Sequence, residues 1–273
     1  MYRTDSIIVP SDNLPLIIPF GLASSGKKLL VVRLAMYLYC NHCLDIQASP
    51  HFVLSPSSLT EYYRENCSRW ERIIHTGNIC DGFPKKNGLS DLSPYVFTCR
   101  NNYGNVVCHL VALTGEICYC DASPVWSQQL SSLFATPNKK IWLILLEKDT
   151  FSSQNERDEY ARVTKRMLNN ISPKDKVIFV FNKADIYINK YVKDKHIDMK
   201  SFMKDINLQY PNLFDSYKSK GVAKFFKGEY NFNYMFFSSG VFTNARYIGM
   251  DDVWTPSPDI YCKNLWKKLK ALL

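Results

Sequence analysis

Two short clusters of residues carry most of the chemistry visible in this sequence. Gly21-Leu22-Ala23-Ser24-Ser25-Gly26-Lys27-Lys28 follows the apolar run Leu14 to Phe20, and Asn182-Lys183-Ala184-Asp185 follows the apolar run Val177 to Phe181. In the first cluster the spacing GxxxxGK puts glycines where a chain must turn tightly and a lysine where a helix begins. Backbone N–H groups in such a turn, with the helix N-terminus behind them, form a cradle for phosphate oxygens. The candidate phosphate-binding residues are therefore Gly21, Ser24, Ser25, Gly26, Lys27 and Lys28, with the Lys27 ammonium set against the outer phosphates. Taken alone, the first cluster also fits a Gly-Ser turn before a basic helix start. The second, taken alone, also fits an Asn-Lys turn that closes a strand.

Both clusters sit at the ends of predicted buried strands, and the rest of the chain alternates strands with helices. Leu29 to Tyr39 is apolar and long enough for a buried helix behind the glycine loop. Tyr95 to Arg100 and Val106 to Leu113, joined by the Asn101–Asn105 turn, predict a β-hairpin. Ile141 to Leu146 and Val177 to Phe181 are continuous apolar runs, the pattern of parallel strands buried on both faces. Between them Asn155 to Ile171 has helical spacing, with Tyr160, Val163, Met167 and Leu168 on an inner face. Tyr234 to Phe237 is the last strand candidate, and Tyr261 to Leu273 predicts a terminal helix. Its apolar face would be Leu265, Trp266, Leu269 and Leu272, with Lys263, Lys267, Lys268 and Lys270 toward water.

A polar stretch from about 41 to 93 holds one helix candidate, Ser57 to Ile74, and a Gly/Pro/Asn-rich tail. A Lys- and aromatic-rich stretch from about 186 to 230 is helical in parts. No repeat or low-complexity linker divides the chain. The expectation is an α/β fold, one doubly wound nucleotide-binding domain over residues 1–273 with these two stretches as insertions.

The order of glycine loop, hairpin, DxxG region, NKxD and Ser-rich loop resembles the GTPase branch of the P-loop NTPases, the Ras-like or translation-factor-related fold. The resemblance covers essentially the whole chain. Within that branch the chain resembles bacterial GTPase-like proteins of conflict or defence gene sets. It implies a three-layer fold, a mostly parallel sheet with one antiparallel hairpin strand, and GTP or GDP as ligand. In that pattern Asp185 accepts hydrogen bonds from the guanine N1 and N2 donors, a pair that adenine lacks. Asn182 either contacts the base edge or ties to the phosphate loop, and Lys183 lies over the purine plane. Ser238-Ser239-Gly240 resembles the family's Ser-Ala-Lys loop, whose backbone meets the guanine oxygen.

The magnesium side departs from the family. There a Ser or Thr of the P-loop and an Asp of DxxG hold the Mg²⁺ that bridges the phosphates. Here those positions read Lys28 and Ala112, the latter in Ala112-Leu113-Thr114-Gly115. For the switch threonine, Asn87 and Thr76 both remain open. Glu116 is a weak candidate for a catalytic, water-orienting group, since its charge beside a γ-phosphate is unfavourable. No metal site is assigned and Mg²⁺ is doubtful. Lys28 either fills the space of the absent cation or turns to solvent.

Composition narrows the classes further. The 273 residues are 46% hydrophobic, ample for a packed core. No apolar segment reaches the roughly 18–20 residues of a membrane span, and Met1 to Asp5 lacks a signal-peptide layout. The expectation is a cytoplasmic protein without membrane partners. Nine cysteines favour reduced thiols over a disulfide framework. Cys40-Asn41-His42-Cys43 and Cys118-Tyr119-Cys120 do not make a usual zinc set. The formal charge of +9 is compatible with a polyanion partner. No nucleic-acid motif accompanies it, so nucleic acid is a minor alternative and a protein partner is favoured. Three functions stay in competition: a guanine-nucleotide-binding pseudo-GTPase, with weak or absent hydrolysis, acting as a scaffold or slow switch; an active GTPase completed by a partner; and a structural interaction protein with a vestigial P-loop.

Overall fold

A computed structural model describes residues 12–21, 25–48, 68–77, 95–113, 126–147, 153–194, 196–218, 231–243 and 253–273. Its centre is a seven-stranded sheet. Chain order gives β1 (Leu16–Phe20), β2 (Asp45–Ala48), β3 (Tyr95–Arg100), β4 (Val106–Ala112), β5 (Lys140–Glu147), β6 (Lys176–Asn182) and β9 (Tyr234–Phe236), with spatial order β2-β3-β4-β1-β5-β6-β9. β4, β1, β5, β6 and β9 run parallel to one another, and β3 is antiparallel to both β2 and β4. The mostly parallel sheet with one antiparallel hairpin strand is the architecture expected from the sequence.

Strand alternation sorts the core into two layers. Ile141, Leu143 and Leu145 of β5 pack on one side, and Trp142, Ile144 and Leu146 on the other. The first side is covered by α1 (Lys27–Cys40), by α2 (residues 68–76) and by α7 (Ile260–Lys270). The second is covered by α3 (Gln128–Ala135), α4 (Gln154–Leu168) and α6 (Met199–Gln209). Helices on both faces explain why β1 and β5 are buried along their whole lengths, and hence why both read as unbroken apolar runs.

The inner face expected for α4 is present: Tyr160, Val163 and Met167 are buried, and Leu168 packs at the edge of the same core. In α7, Cys262, Leu265, Trp266 and Leu269 are buried while Lys263, Lys267, Lys268 and Lys270 are exposed. That helix is a packed element of the first layer. Among the described residues, no helix is long and apolar enough to cross a membrane.

Other elements differ from the sequence reading. Within the stretch expected to be irregular, β2 pairs with β3 from Asp45↔Arg100 to Ala48↔Phe97. Its sequence, DIQA, is too short and polar to signal a strand. Helix α2 spans 68–76 where 57–74 was expected, and residues 57–67 lie outside the described residues. Helix α3 escapes the sequence reading because eight residues give little periodicity. Also unanticipated are two small antiparallel pairs: β7 (Val192–Lys193) with β8 (His196–Ile197), and β10 (Gly240–Thr243) with β11 (Val253–Pro256).

Candidate functional site

The carboxyl ends of β1, β5, β6 and β9 lie side by side, and the loops that leave them hold both sequence clusters. β1 is also where chain order reverses across the sheet, with β4 on one flank and β5 on the other. Crevices at such points are where open α/β sheets bind ligands.

After β1 the chain turns through Gly26 into α1. Gly26 has φ 80, and a Cβ there would come within 2.8 Å of Asn182 Nδ2. Only glycine meets both conditions without strain. No side chain caps α1, and its first turn carries no acidic residue. A helix's first N–H groups lack intrahelical acceptors, so this end favours an anion. Lys27 is 4% exposed, and its Nζ donates to Gly21 O at 2.8 Å and to Ser25 Oγ at 3.4 Å. The ammonium is thus held inside the curl of the loop. Ser24 lies outside the described residues.

β6 ends at Asn182, which is buried. Its Nδ2 donates to Ser25 O at 2.8 Å, joining the two clusters directly. Of the two roles open to Asn182, the geometry displays the tie to the loop. Lys183 follows in the left-handed region at φ 54 and starts α5 (Ala184–Tyr187). Its Nζ pairs with Glu147 Oε2 at 2.7 Å. Glu147 ends β5 opposite Asn182 in the sheet register. Its main chain is clamped by α6 and the residue after it: Gln209 Nε2 and Tyr210 OH both donate to Glu147 O, at 2.7 and 2.5 Å.

Asp185 is half-buried in the first turn of α5. Burial, then the nearby Tyr210, Glu147 and Asp185, push the Tyr187 phenol well above its ordinary range. Burial, and then Asp185, also raises Tyr261. The Asp185 carboxylate therefore lies within electrostatic reach of both α5 and α7. Ala184 N donates to Phe237 O at 3.0 Å, which brings the 182–185 loop against the loop that follows β9. Ser238 and Ser239 are both buried there. The described residues of both clusters and of the Ser-rich loop thus meet at one end of the sheet.

The two residues at which the sequence resemblance would put magnesium ligands do not fit that ion. Ala112 offers a methyl group at the end of β4, and Lys28 an ammonium; neither coordinates a cation. Lys28 Nζ sits 5.5 Å from the centroid of the Tyr95 ring, and Tyr95 pairs with Ala112 across β3 and β4. The ammonium is therefore directed toward the end of β4. Thr76 Oγ1 donates to Arg72 O within its own helix. Asn87, Glu116 and the Cys118–Cys120 pair lie outside the described residues.

Sequence reasoning missed Glu147, Arg33, Ser257 and Asp259. Glu147 is the first charge after the apolar run of β5, leading into Lys148 and Asp149, and Arg33 is a lone charge inside the apolar helix run; the latter is a usable signal in retrospect. Ser257 and Asp259 carry no comparable mark.

No protein-family model matches the chain, and no curated protein matches it by sequence. Among solved structures, one described as nucleolar GTP-binding protein 1 from Plasmodium falciparum is similar at a TM-score of 0.37 and 14% identity. That similarity covers 85% of this chain and 80% of the other.

Proposed function

We propose that the protein is a guanine-nucleotide-binding, GTPase-like chain with weak or absent hydrolysis, acting as a nucleotide-stabilised scaffold or slow switch. The carrying observation is the buried hydrogen bond from Asn182 to Ser25, which joins the GxxxxGK loop to the NKxD loop at the carboxyl ends of the central strands. A phosphate cradle and a base-reading carboxylate then serve one ligand. Gly21, Ser24, Ser25, Gly26, Lys27 and Lys28 hold the phosphates. Asp185 reads the guanine edge, Lys183 covers the base plane, and Ser238 and Ser239 supply the backbone facing the guanine oxygen. The chain forms one such domain, with insertions at about 41–93 and 186–230.

Weak hydrolysis follows from the chemistry of Lys28 and Ala112. An ammonium neutralises phosphate charge but cannot bind phosphate oxygens and ordered waters octahedrally. Without that coordination, several kcal/mol of transition-state stabilisation are missing. The test has two steps. Nucleotide extracted from purified protein is identified, and GTP turnover is then measured with Mg²⁺ and with EDTA. Guanine nucleotide with background turnover in both conditions is expected. Recovery of adenine nucleotide would sink the base assignment, and rapid Mg²⁺-dependent turnover the claim of weak hydrolysis.

A further inference from the structure

A second polar network runs behind the Ser238–Gly240 loop. Ser257 is buried just after β11. Its Oγ donates to Ser238 O at 2.5 Å, and its N–H donates to Ser239 O at 3.4 Å. One residue thus occupies the carbonyls of two successive peptides. Ser257 is itself held from α1. Arg33 is 5% exposed, and its Nη2 donates to Ser257 O at 2.6 Å and to Asp259 Oδ1 at 2.5 Å. The loop also leaves tightly against β11 itself. Gly240 has φ 130, and a Cβ there would come within 2.3 Å of Thr255 O.

A trans peptide is planar, with its carbonyl and its N–H pointing to opposite sides. No cis bond occurs among the described residues. By drawing Ser238 O toward itself, Ser257 therefore turns the Ser239 N–H the opposite way, away from β11. We propose that Ser257, fixed by Arg33, is a positioning residue that aims the Ser239 N–H at the oxygen on C6 of a bound guanine. The inference rests on the guanine reading above and adds the device that sets affinity for that one atom. Arg33 lies in the helix that begins at Lys27, so the same helix supports both the phosphate cradle and the base-reading loop.

The test titrates GDP, 6-thio-GDP and ADP into the parent protein and into Ser257→Ala, Ser257→Thr and Arg33→Met. Sulfur is a much weaker acceptor than oxygen, so 6-thio-GDP gains little from a well-aimed N–H. Ser257→Ala is expected to weaken GDP about tenfold and 6-thio-GDP by less than about threefold, the scale of one hydrogen bond. Ser257→Thr, which keeps the hydroxyl, should restore GDP affinity, and Arg33→Met should follow Ser257→Ala. Equal losses for GDP and 6-thio-GDP, or no loss for GDP, overturn the inference while leaving the guanine reading intact. A parent that binds ADP as well as GDP overturns both. Ser257→Ala removes a single hydroxyl, so it keeps the test available if Arg33→Met fails to fold.

Discussion

Under the proposed reading Asp185, in the first turn of α5, carries the base assignment, because a carboxylate can accept from the adjacent N1 and N2 donors of guanine, a pair that adenine lacks. Loss of a charge-assisted pair costs a factor of about ten or more in affinity. Asp185→Ala is expected to weaken GDP by at least that much and to leave ADP unchanged, as read by fluorescent-nucleotide titration. Competition by ATP as strong as by GTP in the parent would show the assignment to be wrong. Lys28 and Ala112 set a second expectation at this scale. With an ammonium over Tyr95 and a methyl where the cation's ligands would stand, GTP affinity should change less than about threefold between Mg²⁺ and EDTA. A fall of a hundredfold in EDTA would place a metal shell in this protein after all.

Helix α7 buries Leu265 and Leu269 completely, beside Trp266, in the first core layer. Truncating a buried leucine to alanine costs about 2–5 kcal/mol through lost transfer energy and a residual cavity. Leu265→Ala should therefore lower the unfolding free energy in plain buffer by that amount, read as a lower denaturation midpoint. A helix that served as a lipid-surface anchor would show no such loss, so an unchanged midpoint would contradict the packed assignment. Helix α6 offers a pH-dependent test. Asp198 caps it by accepting from Ser201 N and also pairs with Lys193. The Lys193 hydrogen bond first, then those from Ser201, hold the Asp198 carboxyl below its ordinary range. A carboxyl lowered in the folded state adds stability that is complete above its unfolded pKa, about 4, and fades as pH falls below it. Asp198→Asn should thus melt below the parent at pH 7, and the difference should narrow steadily as pH falls below about 4.

At the scale of the molecule, the GxxxxGK loop and the NKxD loop belong to distant parts of the chain and meet through Asn182 and Ser25. A nucleotide touching both would add a second link between them. Ligand binding at one hundred times Kd stabilises a fold by about 2.7 kcal/mol. For a chain of this size that raises Tm by roughly 5–10 °C. GDP should produce such a shift in the parent and ADP should not. In Asn182→Ala, with the inter-loop bond removed, the GDP shift should fall by at least half. An equal shift with GDP and ADP would mean that the link does not depend on guanine.

The glycine loop, the apolar strand runs and the faces of α4 and α7 were legible in the sequence because each follows from local composition and period. β5 and β6 are buried on both sides, so hydrophobicity alone marks them. Gly26 announces a left-handed turn that few other residues tolerate. Roles decided across the sheet were not legible. NKxD left two roles open for Asn182, and only the adjacency of β1, β5 and β6 brings its amide to Ser25 O. The sequence left Lys28 either in the space of the absent cation or toward solvent, and its approach to the Tyr95 ring depends on the pairing of β3 with β4. Arg33, Glu147 and Ser257 became site residues through partners far away in sequence: Asp259, Lys183 and Ser238. A side chain's type and its near neighbours set what it can do; which partner it meets depends on strand order and register, which no local pattern encodes.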